Sequence, residues 1–319
     1  MLDEKLGALL RSIFYADSSY EAALEKWVRG YERVSDAAHE HLSGKFEVET
    51  LFGERHVVNG KDIIVELSRS PRVTYAVAPS YFSSFAYVEE ILERLMDEPE
   101  ATVRVDRDLV RRGIKTARRA EEGCQLYALA YPSTFSFDPY PGRYPNEIEV
   151  PPLVPPPLPH REALASGIYV TITGIPGLER LYADARRMGI TLYSNDIAAV
   201  AGAIQASPRV IPNERILFQF ARSGWSSVWT SMLSGTPIVV PDFDSEDDPE
   251  IYFNNKTIEA LKIGFVWRGE SLEDIVNAIA ELKEPCGRIR KRIEEKWGTV
   301  DGNRYSAKLF VDDFIKKFV

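Results

Sequence analysis

The chain has 319 residues, 45% hydrophobic and 27% charged, which excludes disorder, collagen-like repeats and a disulfide scaffold. It is long enough for two cores of about 150 residues each. Its 48 acidic residues against 39 basic ones give a formal charge of -9, so it lacks the net basic footprint of a general nucleic-acid binder. The two cysteines, Cys124 and Cys286, lie far apart and only four histidines occur, so neither a metal site nor a cofactor is expected.

Residues 3–30 carry Leu6, Leu9, Leu10 and Ile13 at helical spacing, and the acids among them separate this segment from a signal peptide. No apolar run approaches 18 residues, so the expectation is a cytoplasmic protein. Only three glutamines occur beside abundant Arg and Glu, a bias shared with hyperthermophile proteins. Residues 31–42 read as a polar helix bearing His39 and His41. Lys61–Ser68 and Val73–Pro79 read as strands, 83–97 as a helix, and Leu126–Tyr131 as a buried strand stopped by Pro132. Between them, seven basic residues from Arg104 to Arg119 form either a solvated, acid-paired helix face or a docking patch for anionic lipid or a lipid-phosphate acceptor. This alternation suggests an α/β layer with a parallel sheet.

Pro151–Pro159 contains six prolines in nine residues, which fixes an extended path and divides 1–150 from 160–319. In the second half Gly167–Thr173 reads as a strand, followed by a turn at Gly174–Gly177, a helix ending at Gly189 and a strand at Ile190–Ser194. An Ala-rich helix over 196–206, a strand near 209–211 and a short helix or turn at 213–220 come next. Helices near 271–283, 286–297 and 304–318 close the chain. The succession is that of a Rossmann-like unit.

Arg222 to Pro241 is the most informative stretch. Gly224-Trp225 precedes Ser226 and Ser227, which open a helix over about 226–234; Gly235 ends it and Thr236-Pro237 enters a strand. Helix N-termini present unpaired amides and partial positive charge, so Gly224 to Ser227 suit a phosphate or diphosphate. The same residues also fit a serine N-cap and a glycine C-cap with no ligand.

From about Val210 to Trp267 the order of signals resembles the donor-binding region of GT-B fold glycosyltransferases, in particular the UDP-glycosyltransferase and MurG-like branch. Ser223-Gly224-Trp225-Ser226-Ser227 matches the family's glycine loop, Gly235-Thr236-Pro237 its Gly-x-Pro, and the run after Pro241 its acidic loop. Asn254 or Asn255 matches the downstream amide, and Gly264 the glycine that ends the next helix. The Gly174–Gly177 turn matches the glycine-rich loop after the first strand.

The resemblance implies two Rossmann-like domains, an acceptor-side domain over 1–150 and a donor domain over 160–319. It also implies transfer from a nucleotide-sugar, in particular a UDP-sugar, to an acceptor hydroxyl, with inversion and without a metal. Asp247, Asp248 and Glu250 would face the sugar, and the last helix would cross back to the first domain. Two positions depart from the family: Arg222 stands for its loop histidine and Thr230 for the glutamate that grips the ribose. Arg222 retains a charge-assisted grip on diphosphate; Thr230 lacks the paired acceptors a ribose diol prefers. The chain begins with a helix where the family has a first strand, so an atypical or truncated first domain is expected. His39, His41 and His56 are the candidate bases. A sugar-nucleotide epimerase of the same fold, and a non-catalytic binding or scaffold subunit with a protein partner, remain alternatives.

Overall fold

The computed structural model describes residues 46–49, 55–58, 64–66, 80–85, 88–97, 107–138, 142–171, 178–243 and 249–318. An antiparallel hairpin comes first, β1 (Phe46–Glu49) paired with β2 (Arg55–Val58), and was not legible as strands in the sequence. A four-stranded parallel sheet follows, in the order β3 (Ile64–Glu66), β4 (Ser80–Ser84), β5 (Leu126–Ala130), β6 (Glu147–Val150). Helices α1 (Val88–Asp97) and α2 (Arg107–Gly123) bury Ile91, Leu92 and Val110 in one apolar cluster with Phe82, Tyr127 and Leu129. The segment expected as one helix over 83–97 thus begins with the end of a strand. The expected strand at Val73–Pro79 and the helices over 3–30 and 31–42 lie outside the described residues.

The second sheet has six parallel strands: β7 (Gly167–Val170), β8 (Thr191–Ser194), β9 (Ile204–Gln205), β10 (Ile216–Phe220), β11 (Ile238–Pro241) and β12 (Gly264–Trp267). Their order is β12-β11-β10-β7-β8-β9, the doubly wound arrangement of a dinucleotide-binding unit. The helices are α3 (Leu178–Arg187), α4 (Trp225–Ser234), α5 (Pro249–Leu261), α6 (Leu272–Ile279), α7 (Lys283–Trp297) and α8 (Gly302–Phe318).

Three expectations here are corrected. Residues 196–206 form a turn and β9 instead of a helix: Asp196 Oδ1 accepts from the amides of Ala198 and Ala199 as a cap does, but only one turn follows before Gly202 takes φ 81° and the chain enters β9. Residues 208–210 form a 3-10 turn instead of a strand, with Pro208 in its first turn and the Ser207 hydroxyl accepting from Arg209 N. Residues 216–220 are the central strand β10 instead of a helix or turn.

The two sheets share apolar packing. Ala128, Ala130 and Val150 of the first belong to the same buried cluster as Ile168 and Phe218 of the second and Trp229 of α4. As the resemblance implied, α8 crosses back: Phe310 packs on Tyr81 with ring centroids 5.1 Å apart, and the Tyr81 hydroxyl donates to Asp313 at 2.9 Å. The crossing starts at Gly302, whose amide donates to Pro152 O at 3.0 Å. A Cβ at Gly302 would stand 2.1 Å from Pro151 O, so only glycine permits this approach.

Between α1, α2 and the 142–147 loop lies a buried ionic network. Glu89 is fully buried and accepts from Arg143 Nε at 3.0 Å, from Arg118 and from the Tyr144 hydroxyl. That hydroxyl also lies 2.5 Å from Glu121. Burial, followed by the neighbouring carboxylates, pushes Tyr144 ionisation far above the phenol range. Burial opposes ionisation of Glu89, but the hydrogen bonds from Tyr144, Arg118 and Arg143 outweigh it and hold its carboxyl below the usual range. Arg118 and Arg111, two of the seven basic residues noted above, are paired with Glu89 and Asp108 respectively. Among the described residues no helix is long and apolar enough to cross a membrane.

Gly302→Ala is expected to lower stability by about 1–3 kcal/mol, read as a fall in Tm. Glu89→Gln is expected to lower stability at pH 7 by about 2 kcal/mol. The ionised Glu89 contributes above the ordinary carboxylate pKa and that contribution is lost as pH falls through its lower folded value. The gap between wild type and Glu89→Gln in chemical denaturation should therefore narrow below about pH 4.

Candidate functional site

Strand order reverses between β7 and β10, and doubly wound sheets bind ligands beyond the carboxyl ends of the strands at that point. The floor there is fixed by polar side chains. Gln219 Nε2 donates to Thr171 Oγ1 at 3.2 Å, and Gln219 Oε1 accepts from Ser231 at 2.6 Å, so β10, the end of β7 and α4 are tied together. Gly174 and Gly177, which follow β7 in the sequence, lie outside the described residues.

From β10 the chain passes through the exposed Arg222 and the buried Ser223 to Gly224, the N-cap of α4. Gly224 is extended (φ −66°, ψ 135°), and no side chain caps the helix. The serine-cap alternative is therefore excluded: Ser226 and Ser227 lie inside the first turn, the former exposed and the latter half-buried. Amides of Ser227 and Val228 turn back to Gly224 O, whereas helix geometry gives those of Trp225 and Ser226 no acceptor within the helix. Apart from its chain neighbours, none of the described residues stands within 4 Å of the point where a Gly224 Cβ would be. The Ser223 hydroxyl is buried and has no hydrogen-bond partner among the described residues. At the other end Gly235 is left-handed (φ 71°) and donates to Met232 O and Ser231 O.

Trp225 faces inward. Its indole N–H is shared between Asn254 Oδ1 at 2.8 Å and Thr134 Oγ1 at 3.1 Å, the latter on the loop after β5. One turn on, Trp229 Nε1 donates to Pro132 O at 2.8 Å, and Thr257 Oγ1 donates to Thr134 O at 2.6 Å. Phe135 packs against Phe253, centroids 5.2 Å apart. Beside this loop a cavity of about 830 Å³ is lined from both layers, by Tyr131, Ser133, Phe135 and Arg143 on one side and Leu261 and Arg292 on the other.

The remaining candidates divide. Asn254 is fully buried, with both amide hydrogens engaged by Ser223 O at 2.8 Å and Glu250 Oε1 at 2.9 Å. Glu250, also buried, is thereby turned toward Asn254, and Asn255 donates to Pro241 O at 3.0 Å. In this structure these three side chains are therefore held by the protein's own groups, including Glu250, which the resemblance implied would face the sugar. Thr230 donates to Ser226 O within its own helix at 2.7 Å. Asp247, Asp248, His39 and His41 lie outside the described residues, and His56 sits in β2, paired with Val48. Among the described residues no group of three or more His, Cys, Asp or Glu could hold a metal. Sequence reading missed Thr134 and the inward role of both tryptophans; the available signal was their spacing of four, which places them on one helix face.

Comparison with known proteins finds no matching family model and no matching curated protein. Solved structures do match. The glycosyltransferase SnogD of Streptomyces nogalater is 13% identical with a TM-score of 0.52, over 95% of this chain and 84% of that one. Arabidopsis thaliana UGT89C1, complexed with UDP-L-rhamnose, is 15% identical with a TM-score of 0.53, over 94% and 81%. A Polygonum tinctorium UDP-glucosyltransferase capable of glucosylating indoxyl is 12% identical with a TM-score of 0.53, over 93% and 83%. At these identities the likeness is one of fold: the chain has the GT-B-like architecture of two α/β layers, each built on a parallel sheet.

Proposed function

We propose that the protein is a GT-B glycosyltransferase that transfers a sugar from a nucleotide-sugar, a UDP-sugar in the first instance, to an acceptor hydroxyl. One observation carries this reading. Among the described residues, the N-terminus of α4 is uncapped at the carboxyl edge of a doubly wound sheet, with open space before Gly224 and a buried hydroxyl on Ser223 that has no partner among them. Such an end offers free amides and a partial positive charge of about half a unit to a diphosphate. Support for UDP comes from the fold, which is that of structures named for, or complexed with, UDP-sugars.

In the proposed reaction the acceptor oxygen attacks the anomeric carbon, and the bond from that carbon to the diphosphate oxygen breaks. The hydroxyl proton leaves to a base. Negative charge developing on the departing nucleotide is stabilised by the α4 amides and by Arg222, which removes the need for a metal; direct displacement inverts the anomeric centre. For the acceptor, the described space of suitable size is the cavity beside the Tyr131–Phe135 loop. A second reading, a binding subunit without turnover, is favoured by Thr230: its hydroxyl is engaged in its own helix and offers no paired acceptors to a ribose.

Titration calorimetry with UDP, GDP and ADP tests the site through Gly224→Asp. Aspartate is a better N-cap than glycine and has room here, so Tm should stay level or rise, while its charge should weaken UDP binding at least tenfold. Equal affinity of both proteins for UDP, or no nucleotide binding by wild type, would sink the reading. Selective UDP binding without sugar release from any UDP-sugar, with or without acceptors, would favour the binding subunit.

A further inference from the structure

We propose that Thr134, in the four-stranded layer, is a positioning residue for the diphosphate loop of the six-stranded layer, acting through Trp225 and Asn254. This deepens the reading above and rests on it. The hydroxyl polarity at Thr134 is fixed by its neighbours. Its single hydrogen goes to Phe85 O at 3.1 Å, where the Thr134 amide also donates at 3.0 Å, so only its lone pairs are left to face the Trp225 indole. Trp225 N–H bridges that oxygen and Asn254 Oδ1, which orients the carboxamide so that its amino group reaches Ser223 O.

Ser223 O and the Gly224 N–H belong to one planar trans peptide and point in opposite directions. Drawing the carbonyl inward to the buried Asn254 therefore aims the Gly224 amide outward, and the amides of α4 follow in register. The relay runs from the end of β4, through a residue of the acceptor-side layer, to the backbone that would meet the donor diphosphate. Every side chain in it is buried, so each link acts with little competition from water.

The test compares Thr134→Val, which keeps the shape and removes the acceptor, with Thr134→Ser, which keeps the hydroxyl. UDP affinity is read by calorimetry, and hydrogen exchange of amides 223–228 is read without ligand. Thr134→Val is expected to weaken UDP binding about fivefold and to speed exchange at 223–228 by a similar factor, while Thr134→Ser stays within about twofold on both. In a Trp225→Phe background, which has already lost the indole N–H, Thr134→Val should add nothing. Exchange at 223–228 that is equal in the valine and serine variants overturns the proposal, as does acceleration spread evenly over the molecule. If wild type binds no nucleotide, the glycosyltransferase reading fails by itself. The exchange contrast then decides the positioning of the loop: present, it supports the relay, and absent, it overturns it.

Discussion

Two indole N–H groups on one helix face set the relation between the layers. Trp225 and Trp229 are both buried, and a buried donor without an acceptor costs about 1–3 kcal/mol. Their acceptors include Thr134 Oγ1 and Pro132 O, on the loop that leaves β5 in the other sheet. Separating the layers would expose both rings to water and exchange these directional bonds for solvent ones, while Thr257 would lose Thr134 O as well. Domains joined by a linker are expected to move unless their interface is large and apolar. Here the apolar cluster runs continuously from Ala128 and Val150 to Phe218 and Trp229, and the hydrogen bonds at its edge are directional. The proline-rich segment is therefore not a free hinge, and α8 clasps its start through Gly302.

That constraint places chemistry as well as structure. Because α4 is held by its apolar face, its N-terminus stays where β10 ends, at the point where strand order reverses. An acidic chain thus keeps a local positive end beside the exposed Arg222, while Glu250 is buried against Asn254 and the exposed Asp242 pairs at the surface with Arg268 at 3.2 Å. Glu250, buried in this way, presents no exposed carboxylate to the proposed diphosphate site.

Legibility in the sequence followed periodicity. Leu126–Ala130 was readable as a strand because a buried apolar run is cut by proline, and the amphipathic α3 was readable by its 3.6-residue spacing and its glycine stop. The central strand β10 was not, because Ile216–Phe220 is covered on both faces and therefore shows no alternation. Residues 196–206 have helix-forming composition and Asp196 caps a first turn, yet Gly202 takes φ 81° and ends it, and Ile204–Gln205 pairs with β8 instead. At the site, the glycine loop and its helix could be read from residue order. The inward direction of Asn254, Asn255 and Glu250 could not, since helix α5 decides which of its polar residues face the core. Thr134 was beyond reach for a related reason: its partner Trp225 is ninety-one residues away, and no local pattern records such a pairing.

The two ends of α4 are treated differently, and the difference bears on why glycine stands at position 224. Its C-terminal carbonyls are satisfied by the left-handed Gly235 and by Thr236 N, which donates to Ser231 O at 3.1 Å. Its N-terminal amides receive no side chain, although the backbone at 224 has ordinary dihedrals and room for one. Serine, threonine, asparagine or aspartate there would satisfy an amide and stabilise the helix. Strain cannot account for the glycine, since no positive φ or close approach requires it. A capping side chain would, however, occupy the same amides that a diphosphate would use. The uncapped end is thus a local departure from the most stable choice, at the sheet edge where the proposed diphosphate would lie.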